Sequence, residues 1–274
     1  MNKPRISIIV PSYNQGRYIE ETLLSIFDQK IDGLQLIVMD GGSTDETLTV
    51  LKKYASKIDV CVSERDRGQT DAINKALKHV KADIIGWLNS DDIYLRGALK
   101  KVLRVFDDHP DVDVIYGDRL MIDSDSHVFG WVCGQEFNPA EFGYNIASET
   151  AFWRTKAQPE EFDVSLRFTM DLDWFSRLYV SGAKFHLIPD FLGAFRCHPD
   201  AKSTTMQDVC IEETERCWKK YFNNENWKIS SLGRGNQRRF FSRLLTRPFT
   251  LTLPFVYQRL ILRPFADRRK RAPV

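Results

Sequence analysis

Polar side chains follow four short apolar runs in the first hundred residues of the chain. Ser12-Tyr13 comes after the first run, Asp40 after the second, Glu64-Arg65-Asp66 after the third, and Asn89-Ser90-Asp91-Asp92 after the fourth. Carboxylates placed close together repel one another, and a divalent cation, a metal-bound phosphate or sugar hydroxyls would relieve that repulsion. Hard carboxylate oxygens favour Mg²⁺ or Mn²⁺, so the adjacent acids Asp91 and Asp92 are candidate metal ligands.

These loops can meet only if the four runs are neighbouring strands. The runs are Ile6–Val10, Leu34–Met39, Val60–Ser63 and Ile84–Leu88. Each is short and almost continuously apolar, which is typical of strands buried on both faces of a parallel sheet, and apolar residues at helical spacing separate them. Strands that alternate with helices predict an α/β protein with a doubly wound, mostly parallel sheet, in which ligands bind at the carboxyl ends of the strands.

The second half of the chain predicts a less regular arrangement. Its predicted elements are strands at Val114–Tyr116, Val128–Val132, Ala151–Trp153, Phe185–Ile188 and Leu192–Arg196, and helices from Asp171 to Tyr179 and from Asp208 to Phe222. The polar residues 223–226 then mark the boundary of a basic tail. We therefore expect one α/β domain over residues 1–227 and a separate tail over residues 228–274.

Composition and glycine pattern exclude several classes of protein. The chain is 43% hydrophobic and 28% charged, as folded soluble proteins are. Five cysteines without a CxxC pair argue against a disulfide framework or a zinc cluster and favour a reducing compartment. The first loop has one glycine, Gly16, and no GK[ST] sequence occurs, so neither a dinucleotide fold nor a Walker-type site is predicted. No signal peptide or membrane-spanning segment is predicted either.

Four segments occur in a fixed order within the first 92 residues. They are Ile8-Ile9-Val10-Pro11-Ser12-Tyr13-Asn14, Asp40-Gly41-Gly42-Ser43-Thr44-Asp45, Glu64-Arg65-Asp66-Arg67-Gly68-Gln69-Thr70-Asp71-Ala72-Ile73-Asn74 and Trp87-Leu88-Asn89-Ser90-Asp91-Asp92. Together they resemble the nucleotide-sugar half of glycosyltransferase family 2. The resemblance extends over about residues 4–222 and implies an inverting sugar transferase with the glycosyltransferase A fold. Residues 1–118 would then bind the nucleotide sugar, and residues 119–227 would bind the acceptor.

The resemblance also implies roles for the residues at the strand ends. The nucleotide-sugar site would include Pro11, Ser12 and Tyr13 around the base and ribose, Asp40 as acceptor of the base's ring N–H, and Asp66 with Gly68 beside the nucleoside. Asn89 stands where the family commonly has Asp, but it keeps an oxygen that can bond a ribose hydroxyl. Asp91 would bind both donor and metal, and Asp92 the metal. Asp123-Ser124-Asp125 also spells D-x-D, and we interpret it as a turn away from this site.

Three segments of the second half resemble the family's acceptor and catalytic side. Glu149 and Thr150 would contact the acceptor, and Asp171 stands where the family keeps its general base. Asp173 is the rival, but residues two apart on a helix point about 200° apart, so only one of them can face the sugar. The segment after the last strand would reach the diphosphate through Arg196 and Lys202 and the metal through His198.

Each assignment has a structural alternative. Asp40 and Asp171 would otherwise cap the helices that follow them, and Asp66 would pair with a neighbouring arginine. His198 would be an ordinary exposed histidine, and the acids at 91 and 92 would belong to a solvated loop. Trp87, Trp153 and Trp174 are interpreted as core residues rather than sugar platforms.

The chain is therefore expected to be a metal-dependent, inverting glycosyltransferase that uses Mg²⁺ or Mn²⁺. Its donor would be a nucleoside-diphosphate sugar, with a UDP-sugar favoured, and its acceptor a glycan or lipid-linked precursor of a surface polysaccharide. One alternative is a sugar-nucleotide pyrophosphorylase, which would be expected to have a glycine- and lysine-rich first loop that residues 11–17 lack. The other alternative is a non-catalytic scaffold that binds sugar nucleotides or membranes. The presence of both candidate metal ligands and a candidate base is evidence against it.

The tail differs from the rest of the chain in charge. Residues 228–274 contain 12 basic residues and one acid, a net charge of +11, whereas residues 1–227 carry −9. Apolar pairs such as Phe240-Phe241 and Leu244-Leu245 recur between arginines, a pattern that suits a membrane interface. We expect the tail to hold the protein on the anionic cytoplasmic face of the cell membrane. The alternative is packing on the body or on a second subunit in a homo-oligomer, and nucleic-acid binding is not expected because the acidic body repels phosphates.

Overall fold

The computed structural model describes residues 3–137 and 146–222. The basic tail at residues 228–274 and its boundary at residues 223–226 lie outside the described residues. Within the described part, no helix combines the length and the apolar character needed to cross a membrane. The described strands form a single sheet with helices on both of its faces.

The first four strands confirm the arrangement predicted from the sequence. They are β1 (Ile6–Ser12), β2 (Leu34–Asp40), β3 (Val60–Ser63) and β4 (Ile84–Trp87). All four are parallel and lie in the order β3-β2-β1-β4. The loops that follow them therefore meet at one edge of the sheet, which we call the rim.

Helices α1 (Ile19–Phe27), α2 (Thr47–Lys53), α3 (Gln69–Leu77) and α4 (Ala98–Asp108) lie between or after these strands, and a 3-10 turn at Ala55–Lys57 precedes β3. Successive residues of a strand face opposite sides of a sheet. Ile8 accordingly packs in one core with Leu23 of α1, and Ile9 packs in a second core with Ile73 of α3. Burial on both faces explains why the four strands are almost continuously apolar.

The second half of the sheet is mixed, which corrects the prediction of a mostly parallel sheet. Its strands are β5 (Ile93–Tyr94), β6 (Val114–Ile122), β7 (Val128–Val132), β8 (Phe152–Arg154) and β9 (Phe185–Arg196). β8 lies between β4 and β6 and runs antiparallel to both, whereas β9 runs parallel to β6. β5 and β7 pair antiparallel with β9 and β6. The two strands predicted over residues 185–196 are one strand, with an irregular register opposite Gly117 and Asp118.

Three further helices follow in the second half. They are α5 (Met170–Val180), α6 (Lys202–Thr205) and α7 (Gln207–Phe222), with 3-10 turns at Ser148–Thr150 and Thr155–Ala157. The predicted helices correspond to α5 and α7, which pack on each other, whereas α6 and β5 were not predicted. Trp87, Trp153 and Trp174 are buried core residues, as predicted.

The C-terminal ends of α5 and α7 lie far from the rim. Phe222 at the end of α7 contacts Tyr179 of α5, and Tyr179 contacts Phe185 at the start of β9. β9 is parallel to β6, and β6 has the same direction as β4 because β8 is antiparallel to both. The start of β9 therefore lies at the edge of the sheet opposite the rim, and so does the end of α7.

Candidate active site

Ser12 and Tyr13 lie where β1 reaches the rim, directly after the buried Pro11. Tyr13 is 60% exposed, which makes its ring accessible to a ligand. Oγ of Ser12 is buried and has no hydrogen-bond partner among the described residues. Because buried hydroxyls normally have a partner, a ligand atom at this end of β1 would satisfy it.

Asp40 ends β2 and is buried. Its Oδ2 accepts hydrogen bonds from Ser63 Oγ at 2.6 Å, Ser43 N at 2.9 Å and Gly42 N at 3.2 Å, and its Oδ1 accepts one from Ser43 Oγ. Asp40 thus organises the turn that follows it, but it does not cap α2, which begins at Thr47 with Glu46 as its N-cap residue. A carboxylate has about four acceptor sites, and Oδ1 has room for one more donor, such as the ring N–H of a base.

Asp66 brings the loop after β3 against the end of β2. Its Oδ1 accepts a hydrogen bond from Gly68 N at 2.8 Å, and a Cβ on Gly41 would lie only 2.6 Å from its Oδ2. Gly41 therefore has no room for a side chain. Gly68 has a φ of 110°, a conformation that favours glycine, and it immediately precedes α3. The alternative for Asp66 is an ion pair with a neighbouring arginine. Arg67 instead pairs with Asp71 at 2.9 Å.

Asn89 turns inward, and its expected contact with a ribose hydroxyl stays a prediction. Its Oδ1 accepts hydrogen bonds from Gln69 Nε2 at 2.6 Å and from Trp87 Nε1 at 2.8 Å, and its Nδ2 donates to Asp92 Oδ2 at 3.2 Å. Both lone pairs of the amide oxygen are therefore occupied. A carboxylate at position 89 would have no N–H to donate and would face the Asp92 carboxylate with a like charge, which explains why an amide suits this position.

Asp91 and Asp92 are adjacent but face different surroundings. The Asp91 side chain is 20% exposed, and its Oδ2 lies 3.1 Å from His198 Nε2. Asp92 is 1% exposed, and its Oδ1 accepts a hydrogen bond from Arg196 N at 2.8 Å. Burial, with the charges of Asp91 and Glu149, raises the pKa of Asp92 well above its ordinary value. The described residues contain no preformed group of three His, Cys, Asp or Glu side chains that could hold a metal. The expected metal ligands Asp91, Asp92 and His198 stay a prediction, and of these Asp91 and His198 are in direct contact.

This pair fits a divalent ion that takes further ligands from its substrate. Mg²⁺ is commonly bound by one or two carboxylates together with substrate phosphates and water, and oxygen ligands of this kind also suit Mn²⁺. The His198 ring is buried and packs on Tyr18 with 4.7 Å between ring centroids. Its Nδ1 has no hydrogen-bond partner among the described residues. The imidazole is thus held beside Asp91 and is not the exposed histidine of the alternative interpretation.

Arg196 is completely buried and bonds to protein atoms, and its expected contact with a diphosphate stays a prediction. Its guanidinium donates to Asp91 O and Ser126 Oγ, both at 2.7 Å, to Asp123 O at 3.1 Å and to Glu21 Oε2 at 2.8 Å. These contacts fasten the loop after β4 to α1 and to the turn between β6 and β7. Arg196 therefore positions the backbone of Asp91.

The D-x-D sequence at residues 123–125 serves its own turn. Asp123 Oδ1 accepts hydrogen bonds from Asp125 N and His127 N, both at 2.9 Å. The turn is closer to the rim than expected, because Arg196 connects it to the loop that carries Asp91. The Asp123 carboxylate is nevertheless engaged within the turn.

Lys202 on α6 links the donor and acceptor sides of the site. Its Nζ donates to Gln69 Oε1 at 2.7 Å and to Arg167 O at 3.2 Å. The residue as a whole is exposed, but desolvation around its ammonium lowers the pKa of Lys202, while the carboxylates of Asp91 and Asp171 act in the opposite direction. Both carboxylates are therefore within electrostatic range of one cation.

Asp171 and Asp173 make different contacts, as their spacing on α5 predicts. Asp173 Oδ1 accepts hydrogen bonds from Tyr221 Oη at 2.5 Å and Lys220 Nζ at 3.2 Å, and its Oδ2 accepts one from Arg177 Nε at 2.9 Å. Asp171 lies in the first turn of α5, where its Oδ1 accepts the N–H of the next residue at 2.9 Å. Asp173 thus anchors α5 to α7, which favours Asp171 as the general base.

Glu149 and Thr150 are buried, and their expected direct contacts with an acceptor stay a prediction. Thr150 Oγ1 donates to Ala147 O at 3.0 Å and to Gly117 O at 3.1 Å, and Glu149 Oε1 lies 3.4 Å from Arg119 Nη1. Both residues belong to the 3-10 turn before β8. Because β8 is antiparallel to β4, its beginning lies at the rim. Glu149 therefore contributes charge beneath the rim.

Two residues with close contacts to the site were not predicted. Gln69 connects Asn89 to Lys202 through its amide, and it lies within one of the segments that carry the family resemblance. Glu213 of α7 contacts the segment before α5. The local pattern of α7 gives no signal for this residue, because its partners lie more than 40 positions away in the chain.

The architecture and the rim define the class of protein, and solved structures agree on the fold. TarS of S. aureus in complex with UDP-GlcNAc aligns with a TM-score of 0.62 and 22% identity over 93% of this chain and 77% of that chain. The mannosyltransferase PcManGT from Pyrobaculum calidifontis, in complex with GDP-Man and Mn²⁺, aligns with a TM-score of 0.64 and 18% identity over 100% of this chain and 77% of that chain. The fold is that of a glycosyltransferase A-like α/β enzyme.

Residues 7–156, more than half of the chain, match the family model described as Glycosyl transferase family 2. The chain belongs to glycosyl transferase family 2 and is a glycosyltransferase. An uncharacterized glycosyltransferase of Rickettsia typhi is 28% identical over an alignment of 254 residues, and the alignment covers 87% of this chain and 78% of the relative. The family resemblance of the four rim segments is thereby confirmed.

Proposed function

We propose that this glycosyltransferase moves a sugar from a nucleoside-diphosphate sugar to an acceptor hydroxyl, with inversion and with a divalent metal. The observation that carries the proposal is that Asp91 lies beside His198, and that Lys202 contacts Arg167, four residues before Asp171 at the start of α5. A metal-binding pair, a cation for phosphates and a carboxylate base are the three groups that such a transfer needs.

Donor binding is assigned to the ends of β1 and β2. The exposed face of Tyr13 suits stacking on the base, a contact that contributes about 1 to 3 kcal/mol. Ser12 Oγ and Asp40 Oδ1 offer hydrogen-bonding capacity to the ribose and the base, and Asp66 with Gly68 forms the neighbouring wall. TarS binds UDP-GlcNAc and PcManGT binds GDP-Man, which supports a nucleotide-sugar donor, with a UDP-sugar as our first choice.

Asp91 and His198 are the residues that would hold Mg²⁺ or Mn²⁺ together with the donor diphosphate. Such an ion offsets the charge that develops on the leaving diphosphate. Lys202 adds a second positive charge on the same side, and Arg196 keeps the Asp91 backbone in place. The Mn²⁺ in the PcManGT complex supports this part of the proposal.

Asp171 takes the proton from the acceptor hydroxyl. The hydroxyl oxygen then forms a bond to the anomeric carbon on the face opposite the diphosphate. The bond from that carbon to the diphosphate oxygen breaks, and its electron pair leaves with the diphosphate. One displacement inverts the anomeric configuration, so no covalent enzyme intermediate is needed.

A donor screen tests the proposal. Thermal unfolding is measured with UDP-, GDP- and dTDP-sugars, each with and without Mn²⁺. A donor present at 100 times its Kd should stabilise the protein by about 2.7 kcal/mol, and only when Mn²⁺ is present. Stabilisation that is equal without metal would contradict the role of Asp91 and His198, and stabilisation by none of the nucleotides would contradict the donor assignment. Family membership already favours transfer over the pyrophosphorylase and scaffold alternatives.

The acceptor and the location are assigned from the tail, residues 228–274. Its net charge of +11 and its apolar stripes support binding to the anionic cytoplasmic face of the cell membrane. A lipid-linked glycan precursor held at that membrane is the proposed acceptor.

Vesicle flotation tests the tail. The full chain should float with anionic liposomes and should be released in part by salt, because each basic residue near an anionic surface contributes about 1 kcal/mol. A variant truncated after residue 227 should stay in solution. Equal flotation of the truncated protein would contradict the assignment, and equal flotation on neutral liposomes would remove its electrostatic part.

A further inference from the structure

Glu213 places a buried carboxylate against the chain just before α5. The side chain is 5% exposed and projects from α7. Its Oε1 accepts the N–H of Arg167 at 2.8 Å, and its Oε2 accepts the N–H groups of Phe168 and Thr169, both at 2.9 Å. Thr169 Oγ1 also lies 3.3 Å from Oε2. One carboxylate therefore binds three consecutive backbone N–H groups and a hydroxyl.

This arrangement fixes the start of α5. Successive backbone N–H groups form a concavity that binds anions, and hydrogen bonds to an ionised acceptor are stronger than neutral ones. Thr169 is the N-cap of α5, and its carbonyl accepts the N–H of Asp173. Asp171 lies two residues after Thr169. The direction in which Asp171 leaves the helix therefore depends on the segment that Glu213 holds.

The same segment is also tied to the donor half. Thr70 Oγ1 of α3 donates to Leu166 O at 2.9 Å, and Asn74 exchanges two hydrogen bonds with the backbone of Phe162 at 2.8 and 2.9 Å. Lys202 Nζ donates to Arg167 O. Residues 162–169 thus form a strap that α3 holds on one side and Glu213 on the other.

We propose that Glu213 is a positioning residue for sugar transfer: it holds the strap so that Asp171 is aligned with the acceptor and the donor. The inference rests on the proposed role of Asp171 as general base. Asp173 provides a contrast, because its side-chain contacts with Arg177, Lys220 and Tyr221 attach the first turn of α5 to α7 without reaching the strap. Glu213 acts on the end of the helix that carries the base.

The test compares Glu213→Gln with Glu212→Gln, kcat and KM being measured well below each melting temperature. Glu212 is exposed on the same helix, so its variant makes the same change of charge away from the strap. An amide nitrogen at position 213 would face a backbone N–H, and misplacement of Asp171 should lower kcat about 10-fold or more. The donor KM should change less than about threefold, because Lys202 keeps its bond to Gln69. Glu212→Gln should retain the parent kcat.

An unchanged kcat in Glu213→Gln would overturn the inference, as would equal losses in kcat from both variants. If Glu213→Gln does not fold, Glu213→Asp is used instead, because it keeps the carboxylate but shortens the side chain. A lower kcat with an unchanged donor KM supports the positioning role. A parent-like kcat refutes it. Asp171→Asn is assayed alongside. Full activity of Asp171→Asn would contradict the proposed base, whereas an inactive Asp171→Asn with a normal Glu213→Gln would refute this inference alone.

Discussion

The donor half, residues 3–118, and the described acceptor half, residues 119–137 and 146–222, present their functional segments to the rim in different ways. In the donor half, four parallel strands all end at the rim, so each functional segment follows a strand. In the acceptor half, β8 runs the other way, and the turn that carries Glu149 and Thr150 reaches the rim before its strand begins. Asp171 comes to the rim at the start of a helix.

The two halves also differ in the exposure of their side chains near the rim. Donor-half residues such as Tyr13 and Asp91 keep exposed or partly exposed groups at the rim. In the acceptor half, Thr150 and Arg196 are buried and bond to protein atoms. Under the proposed function, the donor half would supply ligand contacts, and residues such as Arg196 would hold them in place.

The largest expected effect is on stability, from Arg196→Gln. The change breaks the buried ion pair between Arg196 and Glu21, so the unfolding free energy should fall by about 3 to 5 kcal/mol, measured by urea denaturation. The double variant Glu21→Leu with Arg196→Met should recover part of this loss, because neither charge remains. Parent-like stability with a loss of donor affinity would show instead that Arg196 faces the diphosphate, and the distinction between the two halves would fail.

Asp171→Asn should have the largest effect on turnover. Loss of the base should lower kcat by a factor of about 10² or more, equivalent to about 2.7 kcal/mol, with donor affinity unchanged in calorimetry. Asp173→Asn is the matched control, and it should lower the melting temperature because Tyr221 and Arg177 lose a charged partner. Full turnover in Asp171→Asn together with an inactive, folded Asp173→Asn would reverse the assignment.

Asp91→Asn and Asp92→Asn should separate the two neighbouring acids. Asp91→Asn should weaken Mn²⁺-dependent donor binding about 10-fold or more, since one of the two protein ligands loses its charge. Burial already raises the pKa of the Asp92 carboxylate. Asp92→Asn should therefore change mainly the thermal stability of the protein rather than its metal affinity. Titration of Mn²⁺ in the presence of a bound donor measures the metal affinity of both variants, and thermal unfolding measures their stability. A larger loss of Mn²⁺ affinity in Asp92→Asn than in Asp91→Asn would contradict the proposal that Asp91 and His198 hold the metal.

Local rules explain which parts of the site were predictable. The end of each strand from β1 to β4 follows from an apolar run and a polar break, so the sequence places Asp40 and Asp91 correctly at strand ends. The insertion of β8 between β4 and β6 pairs residues about 70 positions apart, and no local pattern encodes it. The inward turn of Asn89 and the burial of Arg196 depend on partners such as Gln69 and Glu21, which only the folded chain brings together.

The smallest expected effect is that of Thr150→Val. The Thr150 hydroxyl donates to two carbonyl oxygens, of Gly117 and Ala147, inside the protein. Valine keeps the shape and removes the donor, so the unfolding free energy should fall by about 1 kcal/mol while the acceptor KM stays within about twofold. Thr155→Val is the control, because the Thr155 hydroxyl donates to Ala82 O away from the acceptor segment. An acceptor KM raised about 10-fold in Thr150→Val alone, at parent-like stability, would mean that this segment touches the acceptor directly, as we propose that the donor half touches its nucleotide.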